Sequence, residues 1–254
     1  MPKVLLVRAP SSRLAEGQVS HIADERSSVD IERARSQWES YVDFFKTQGW
    51  DIVYAQPSEE SPDGVFIEDQ IVFFRHAKML MLCSPGAPTR RSEVEGAKQI
   101  ATTLASEHGL KLASIEQPGT LDGGDILKIE DRKVVYVGAS ARTNEAGRTQ
   151  LRELLEPYGY TVKEIPVTKA LHLKSAVTAL GDGTVIGWPD IVDDPSLFPK
   201  YADVEEEHGV AVINLDEGEV LMSQGAKGTA EKFRSMGFTV HQVDISEFEK
   251  LEGW

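Results

Sequence analysis

ILKIEDRKVVYVGASARTNEAGRTQLRELLEPYGYTV, residues 126–162, holds one complete structural unit. Ile126-Leu127-Lys128-Ile129 and Val134-Val135-Tyr136-Val137-Gly138 read as two strands joined across Glu130-Asp131-Arg132. A helical stretch over about 143–158 follows, with Thr143 or Asn144 able to cap its first turn through a side-chain oxygen. The helix ends at Gly159, and Tyr160-Thr161-Val162 resumes β-rich sequence. Glycine suits that junction, because the residue just past a helix end often takes the left-handed conformation that a Cβ disfavours. The unit is therefore strand, strand, helix, strand.

The same junction recurs at Gly49, Gly109, Gly209 and Gly237. The strands after them are Trp50-Asp51-Ile52-Val53-Tyr54, Leu110-Lys111-Leu112-Ala113, Val210-Ala211-Val212-Ile213 and Phe238-Thr239-Val240. Helices are expected over about 29–48, 90–108 and 226–236, and a short, poorly patterned one over 196–208. The first shows apolar spacing at Ile31, Trp38, Tyr41, Val42 and Phe45. Tight turns at Asp182-Gly183 and Glu217-Gly218 join further strand pairs. A doubly wound sheet alternates single strands with helices, and an eightfold barrel needs eight helices. Five units with hairpins fit neither. They fit an α/β ring of five strand-strand-helix-strand modules around a central pocket. With no Pro/Gly/Ser-rich linker, residues 1–254 are expected to form one domain.

With 254 residues and 41% hydrophobic content, the chain can bury a sizeable core. Its net charge of -14 argues against a nucleic-acid or anionic-membrane partner. The acidity fits a solubilising surface and equally a carboxylate pocket for a cation. No run approaches 18 apolar residues, and the N-terminus reads as a strand rather than a signal peptide. A single cysteine excludes an intrachain disulfide. A cytoplasmic location is expected.

Acidic residues recur where modules begin: Asp63, Glu68 and Asp69, then Asp122 and Asp125, with His172 opening a later unit. In a ring these positions converge on the axis. Paired carboxylate oxygens match the planar N–H fork of a guanidinium. Each residue also has a plainer reading. Asp63 beside Pro62 and Gly64, and Asp122 before two glycines, suit turns. His172 between two leucines suits a core position. Arg90 suits a ligand carboxylate or merely flanks a helix start, and Arg142, before another helix, suits a ligand carboxylate or a surface acid. Cys83 follows the apolar Lys78-Met79-Leu80-Met81-Leu82 and reads as a buried small hydrophobe. His21, His76, His108, His208 and His241 lack ligand-like spacing, and no Walker loop, dinucleotide fingerprint or HExxH motif occurs. No cofactor and no metal are expected.

Several segments together resemble dimethylarginine dimethylaminohydrolase (dimethylargininase), a family of the pentein or amidinotransferase superfamily. They are Pro62-Asp63 through Glu68-Asp69, Pro85-Gly86-Ala87-Pro88-Thr89-Arg90-Arg91, Gly119-Thr120-Leu121-Asp122-Gly123-Gly124-Asp125, Arg142-Thr143-Asn144, His172-Leu173-Lys174-Ser175 and Asp244 through Gly253. The resemblance implies a five-bladed α/β propeller and hydrolysis of asymmetric dimethylarginine or monomethylarginine to citrulline. It implies that His172 is the general acid/base and that Asp122 holds it. Asp63, Glu68 and Asp69 would face the guanidinium, Phe66 would line the site, and Arg90 and Arg142 would hold the α-carboxylate. Leu14 resembles a residue on a flexible lid, and Leu251 one whose backbone meets the amino-acid end. Two carboxylate-binding arginines argue against agmatine as substrate, and arginine deiminase is the near relative to set against this reading. The family nucleophile is a cysteine in a Val-Thr-Cys segment, expected three residues beyond Trp254. Residues 1–254 alone are therefore expected to be inactive, and a non-catalytic binder of methylated arginine is the alternative.

Overall fold

Ile31, Ala34, Trp38, Tyr41, Val42 and Phe45 recur at helical spacing, and the computed structural model turns them inward on α1 (Ile31–Thr47). The structure describes residues 3–20, 28–216 and 218–253, so His21, Glu217 and Trp254 lie outside the described residues. Asp30 caps α1 by accepting from the Arg33 N–H at 3.0 Å. The helix closes at Gly49, φ 76°, and Phe45 meets Trp50 edge-on at 5.1 Å. On either side of α1 lie β1 (Val4–Val7) and β2 (Asp51–Tyr54), paired in parallel.

The second module runs β3 (Ile71–Phe74), β4 (Met79–Leu82), α2 (Glu93–His108) and β5 (Lys111–Ser114). β4 pairs antiparallel with β3 and parallel with β5. The third repeats that pattern with β6 (Ile126–Ile129), β7 (Val134–Ala139), α3 (Glu145–Leu155) and β8 (Thr161–Pro166). Here the cap is Asn144, which accepts from the Gly147 N–H at 2.8 Å. After a single-turn helix α4 (Leu173–Ala176), the fourth module has β9 (Val177–Ala179), β10 (Val185–Gly187) and β11 (Tyr201–Asp203). The fifth has β12 (Val212–Asp216), β13 (Glu219–Ser223), α5 (Lys227–Ser235) and β14 (Thr239–Val243), followed by α6 (Ser246–Glu249). β1 is bonded along one edge only among the described residues, whereas every other module has three strands.

The fourth module departs from the sequence reading. No α-helix forms over 196–208. Pro199 is the fourth residue of that stretch and biases the residue before it away from helix, and Phe198 is extended, φ -104° and ψ 114°. The segment instead makes a 3-10 turn at Pro195–Leu197 and then β11, which pairs parallel with β10. Gly209 lies in the 3-10 turn Glu207–Val210 and is not left-handed. Val210-Ala211-Val212-Ile213 therefore leads into the fifth module rather than closing the fourth.

Five apolar seams close the ring. Modules one and two meet through Val53, Ile71, Leu82 and Ala101. Two and three meet through Phe74, Met81, Leu121, Val137 and Leu151. The third and fourth share Leu127, Tyr136, Val177 and Phe198, and the fourth and fifth share Ile186, Val210, Met222 and Phe233. Phe45, Leu5, Leu215 and Leu221 join the fifth back to the first. Each fully buried Leu, Phe or Met contributes roughly 1.5–3 kcal/mol of transfer free energy. No helix among the described residues is long and apolar enough to cross a membrane.

Candidate active site

Strands β1, β3, β6, β9 and β12 send residues to the axis, where a cavity of about 720 Å³ opens. That volume suits a small polar molecule. Asp63, Phe66, Glu68, Asp69, Arg90, Arg142, His172 and Leu251 all line it. Asp122 lies fully buried just behind the wall.

Glycines at two points allow this convergence. A Cβ on Gly124 would lie 2.8 Å from both Asp69 Oδ1 and His172 Cγ, so only glycine lets those groups face one point. Gly253 sits so close to the Phe66 ring that a side chain there would collide with it.

His172 is the residue just before α4 and is buried. Its Nε2 lies 3.2 Å from Asp122 Oδ2. Asp122 also accepts from the Gly86 N–H at 2.8 Å and from Arg142 Nη1 at 3.2 Å. Burial alone would lower the His172 pKa, but Asp69, Asp122 and Asp125 outweigh it and raise it above the ordinary histidine value. The ring is thus held ready to carry a proton. Asp125 sits behind it and accepts from Ser140 Oγ and Thr143 Oγ1, each at 2.6 Å, and from the Leu173 N–H at 2.9 Å. These bonds fix the start of α4 and so the position of His172. Burial raises the Asp125 pKa against them and against the charge of His172.

Opposite lies an acidic arm. Asp69 accepts from the Gly124 N–H at 2.7 Å and from Arg90 Nη1 at 2.5 Å. Burial would raise its pKa, but His172 and Arg90 hold it well below the usual carboxylate range. Asp63 accepts from the Gln18 N–H at 3.0 Å, and burial raises its pKa. Glu68 is exposed and pairs with Lys174 Nζ at 2.5 Å. Carboxylates fixed around a half-enclosed cavity suit a planar cation.

The structure parts Arg90 from Arg142, which the sequence reading treats alike. Arg90 donates to Asp69, to both Glu93 oxygens, and to the carbonyls of Asp63 and Phe66. It braces the acidic arm and presents no free fork to a carboxylate. Gln70 bonds Glu93 in turn, and Arg8 Nη1 donates to Gln70 Oε1 at 3.0 Å. Arg142 bonds Asp122 and Gln18 Oε1, the latter through Nη2 at 2.6 Å.

Leu14 opens the 3-10 turn Leu14–Glu16. Its side chain is fully buried among Leu251, Phe248 and Ala34 and does not line the cavity. Gln18, four residues on, does line it. Nothing in the sequence marks Gln18, since a lone polar residue after a glycine has no periodicity to betray it. Lys128 was also missed. It lines the cavity and donates to the Phe73 carbonyl at 2.8 Å, and burial lowers its pKa.

Cys83 packs with Phe74, Met81 and Leu121 in the seam between the second and third modules. Burial pushes its thiol well above the ordinary value, and Asp122 and Asp69 add to this. It is placed as a core residue. No group of side chains among the described residues is arranged to hold a metal ion.

The family N,N-dimethylarginine dimethylhydrolase, eukaryotic, matches residues 2–219. The N(G),N(G)-dimethylarginine dimethylaminohydrolase of Streptomyces coelicolor is 47% identical over 251 residues, covering 99% of this chain and 93% of that one. The Pseudomonas aeruginosa protein of the same name is 31% identical over 255 residues, covering 100% and 96%. A solved structure of the Pseudomonas aeruginosa enzyme, a cysteine-to-serine variant with citrulline, matches with a TM-score of 0.86 at 30% identity, over 100% of this chain and 96% of that one. The N-terminal domain of ArgZ, a cyanobacterial arginine dihydrolase, matches with a TM-score of 0.84 over 98% of this chain and 94% of that one. At 19% identity that likeness is one of fold.

Proposed function

The chain belongs to the dimethylarginine dimethylaminohydrolase family, and we propose that its axial pocket performs the hydrolysis with the acidic arm as cation cradle and His172 as proton carrier. The substrate is asymmetric dimethylarginine or monomethylarginine, and the products are citrulline and the methylamine. One observation carries the assignment. A histidine with a raised pKa and an ionised Asp69 face the same point at Gly124, in a cavity sized for an amino acid.

A guanidinium resists attack because resonance spreads its charge, so covalent catalysis with a proton donor is needed. A thiolate adds to the central carbon and gives a neutral tetrahedral adduct. The His172 imidazolium donates its proton to the dimethylamino nitrogen, and dimethylamine leaves. The remaining S-alkyl thiouronium keeps its positive charge beside Asp69 and Glu68. Neutral His172 then takes a proton from water, and hydroxide adds to the carbon. The thiolate leaves, and loss of one proton to solvent gives citrulline. Asp122 keeps the imidazole oriented throughout, and Asp63 helps close the cation side. Phe66 and Leu251 wall the site, and Arg142 meets the α-carboxylate.

Buried Cys83 is not the attacking thiol in this account, and residues 1–254 contain no other cysteine. We take residues 1–254 as one catalytic domain. Citrulline release is measured from residues 1–254 and from the same protein extended by a Val-Thr-Cys segment. Turnover by the extended protein alone supports the account. Turnover by residues 1–254 that is lost in Cys83→Ser contradicts it.

A further inference from the structure

A chain of five buried side chains, Arg8, Gln70, Glu93, Arg90 and Asp69, runs from the end of β1 to the cation side of the pocket. Arg8 Nη1 donates to the Gly64 carbonyl and to Gln70 Oε1, each at 3.0 Å. Gln70 Nε2 donates to Glu93 Oε2. Glu93 accepts from Arg90 Nη2 at 3.0 Å and from Arg90 Nε at 3.3 Å, and Arg90 Nη1 reaches Asp69 Oδ2 at 2.5 Å. The Gln70 amide can lie only one way round. Arg8 offers donors alone, so the amide oxygen faces it and the amide N–H faces Glu93. Gln70 and Glu93 are 0% and 2% exposed and stand behind the cavity wall, whereas Asp69 opens onto the cavity.

Charge decides what Glu93 does there. Arg90 stands between two carboxylates, Asp69 and Glu93. Burial would lower its pKa, but the two carboxylates outweigh that, and it stays a cation. A buried guanidinium with one carboxylate neutralises it and leaves little attraction for a further cation. With Glu93 on its other side, Arg90 divides its charge between the two, and Asp69 keeps net negative charge towards the cavity. The neighbouring acids are less free to do so. Glu68 is already paired with Lys174, and burial raises the pKa of Asp63.

We propose that Glu93 is a positioning residue for the cation site: held in place by Gln70 and Arg8, it takes up charge from Arg90 so that Asp69 stays available to a cationic ligand. This rests on reading the pocket as a methylarginine site and deepens that reading, since Glu93 touches no ligand and acts through Arg90. The Gln70 amide suits its place, because it accepts from Arg8 and donates to Glu93 without adding a charge.

Calorimetric binding of asymmetric dimethylarginine and of citrulline to residues 1–254 tests this. The two share an amino-acid end, and only dimethylarginine is charged at the other. Glu93→Gln should weaken dimethylarginine about tenfold, because Arg90 then turns its whole charge on Asp69, and should leave citrulline within about twofold. Glu93→Asp, which keeps the charge, should bind dimethylarginine within about threefold of the unsubstituted protein. Combining Gln70→Glu with Glu93→Gln exchanges amide and carboxylate. Every hydrogen bond of the chain can re-form and the total charge returns, but the charge moves from Arg90 to Arg8. The double variant should regain the melting temperature lost in Glu93→Gln while its dimethylarginine binding stays weak. Recovered dimethylarginine binding in the double variant, or equal losses for both ligands in Glu93→Gln, would show that Glu93 serves structure alone and overturn the proposal. Unchanged dimethylarginine binding in Glu93→Gln overturns it too, and each of these results leaves the pocket assignment standing. Failure of the unsubstituted protein to bind dimethylarginine overturns the pocket assignment itself and the proposal with it.

Discussion

His172 sits among three carboxylates, and the balance between them and burial sets its behaviour. Its pKa is raised, so the favourable contribution of its proton to stability is complete below the ordinary value near 6.5 and fades as pH rises through the folded-state value. Denaturation of the native protein between pH 6 and 9 should show that decline, and His172→Asn should remove it. A slope unchanged by the substitution would place the titration elsewhere. In the proposed mechanism the same residue supplies the proton to the leaving amine. His172→Asn in the cysteine-extended protein should lower citrulline release by about 10²- to 10⁴-fold, the usual size of general acid–base catalysis. Dimethylarginine binding should survive it, because Asp63, Glu68 and Asp69 remain to hold the cation.

At the scale of elements, the turn Gly123–Asp125 decides whether the two halves of the site can face each other. Gly124→Ala puts a methyl group within 2.8 Å of Asp69 and of the His172 ring. It should cost about 1–3 kcal/mol of stability through overpacking and displace both groups. A thermal melt and a dimethylarginine titration would read the two effects, and an unchanged titration would show that the approach is looser than described. Much of this layer was readable in the sequence. Gly49, Gly109, Gly159 and Gly237 all adopt left-handed backbone where a helix hands over to a strand. The motifs around Asp69, Asp122 and His172 do meet at the axis. Gly209 misled, because the chain before it forms a 3-10 turn at Pro195–Leu197 and a strand at Tyr201–Asp203, leaving no helix for it to end, and the strand after it belongs to the next module. Gln18 and the bracing role of Arg90 were not legible. Both depend on which side chains from distant segments satisfy one another, and no local spacing records that.

For the molecule as a whole, the five seams make the ring a single closed circuit of packing, and the pocket exists because the circuit closes. Phe45 is fully buried in the seam between the fifth and first modules. Phe45→Ala should cost about 3–5 kcal/mol, measured by chemical denaturation. A loss under about 1 kcal/mol would mean that this seam does not hold the ring. The account stands most directly on where a methylated arginine lies in the closed ring. A crystal structure of residues 1–254 with asymmetric dimethylarginine settles that. The prediction is one molecule in the axial cavity, its guanidinium within hydrogen-bonding distance of Asp69 and Glu68, its dimethylamino nitrogen towards His172 and its carboxylate at Arg142. A ligand bound in the reverse sense, bound outside the cavity, or absent at saturating concentration would contradict the account.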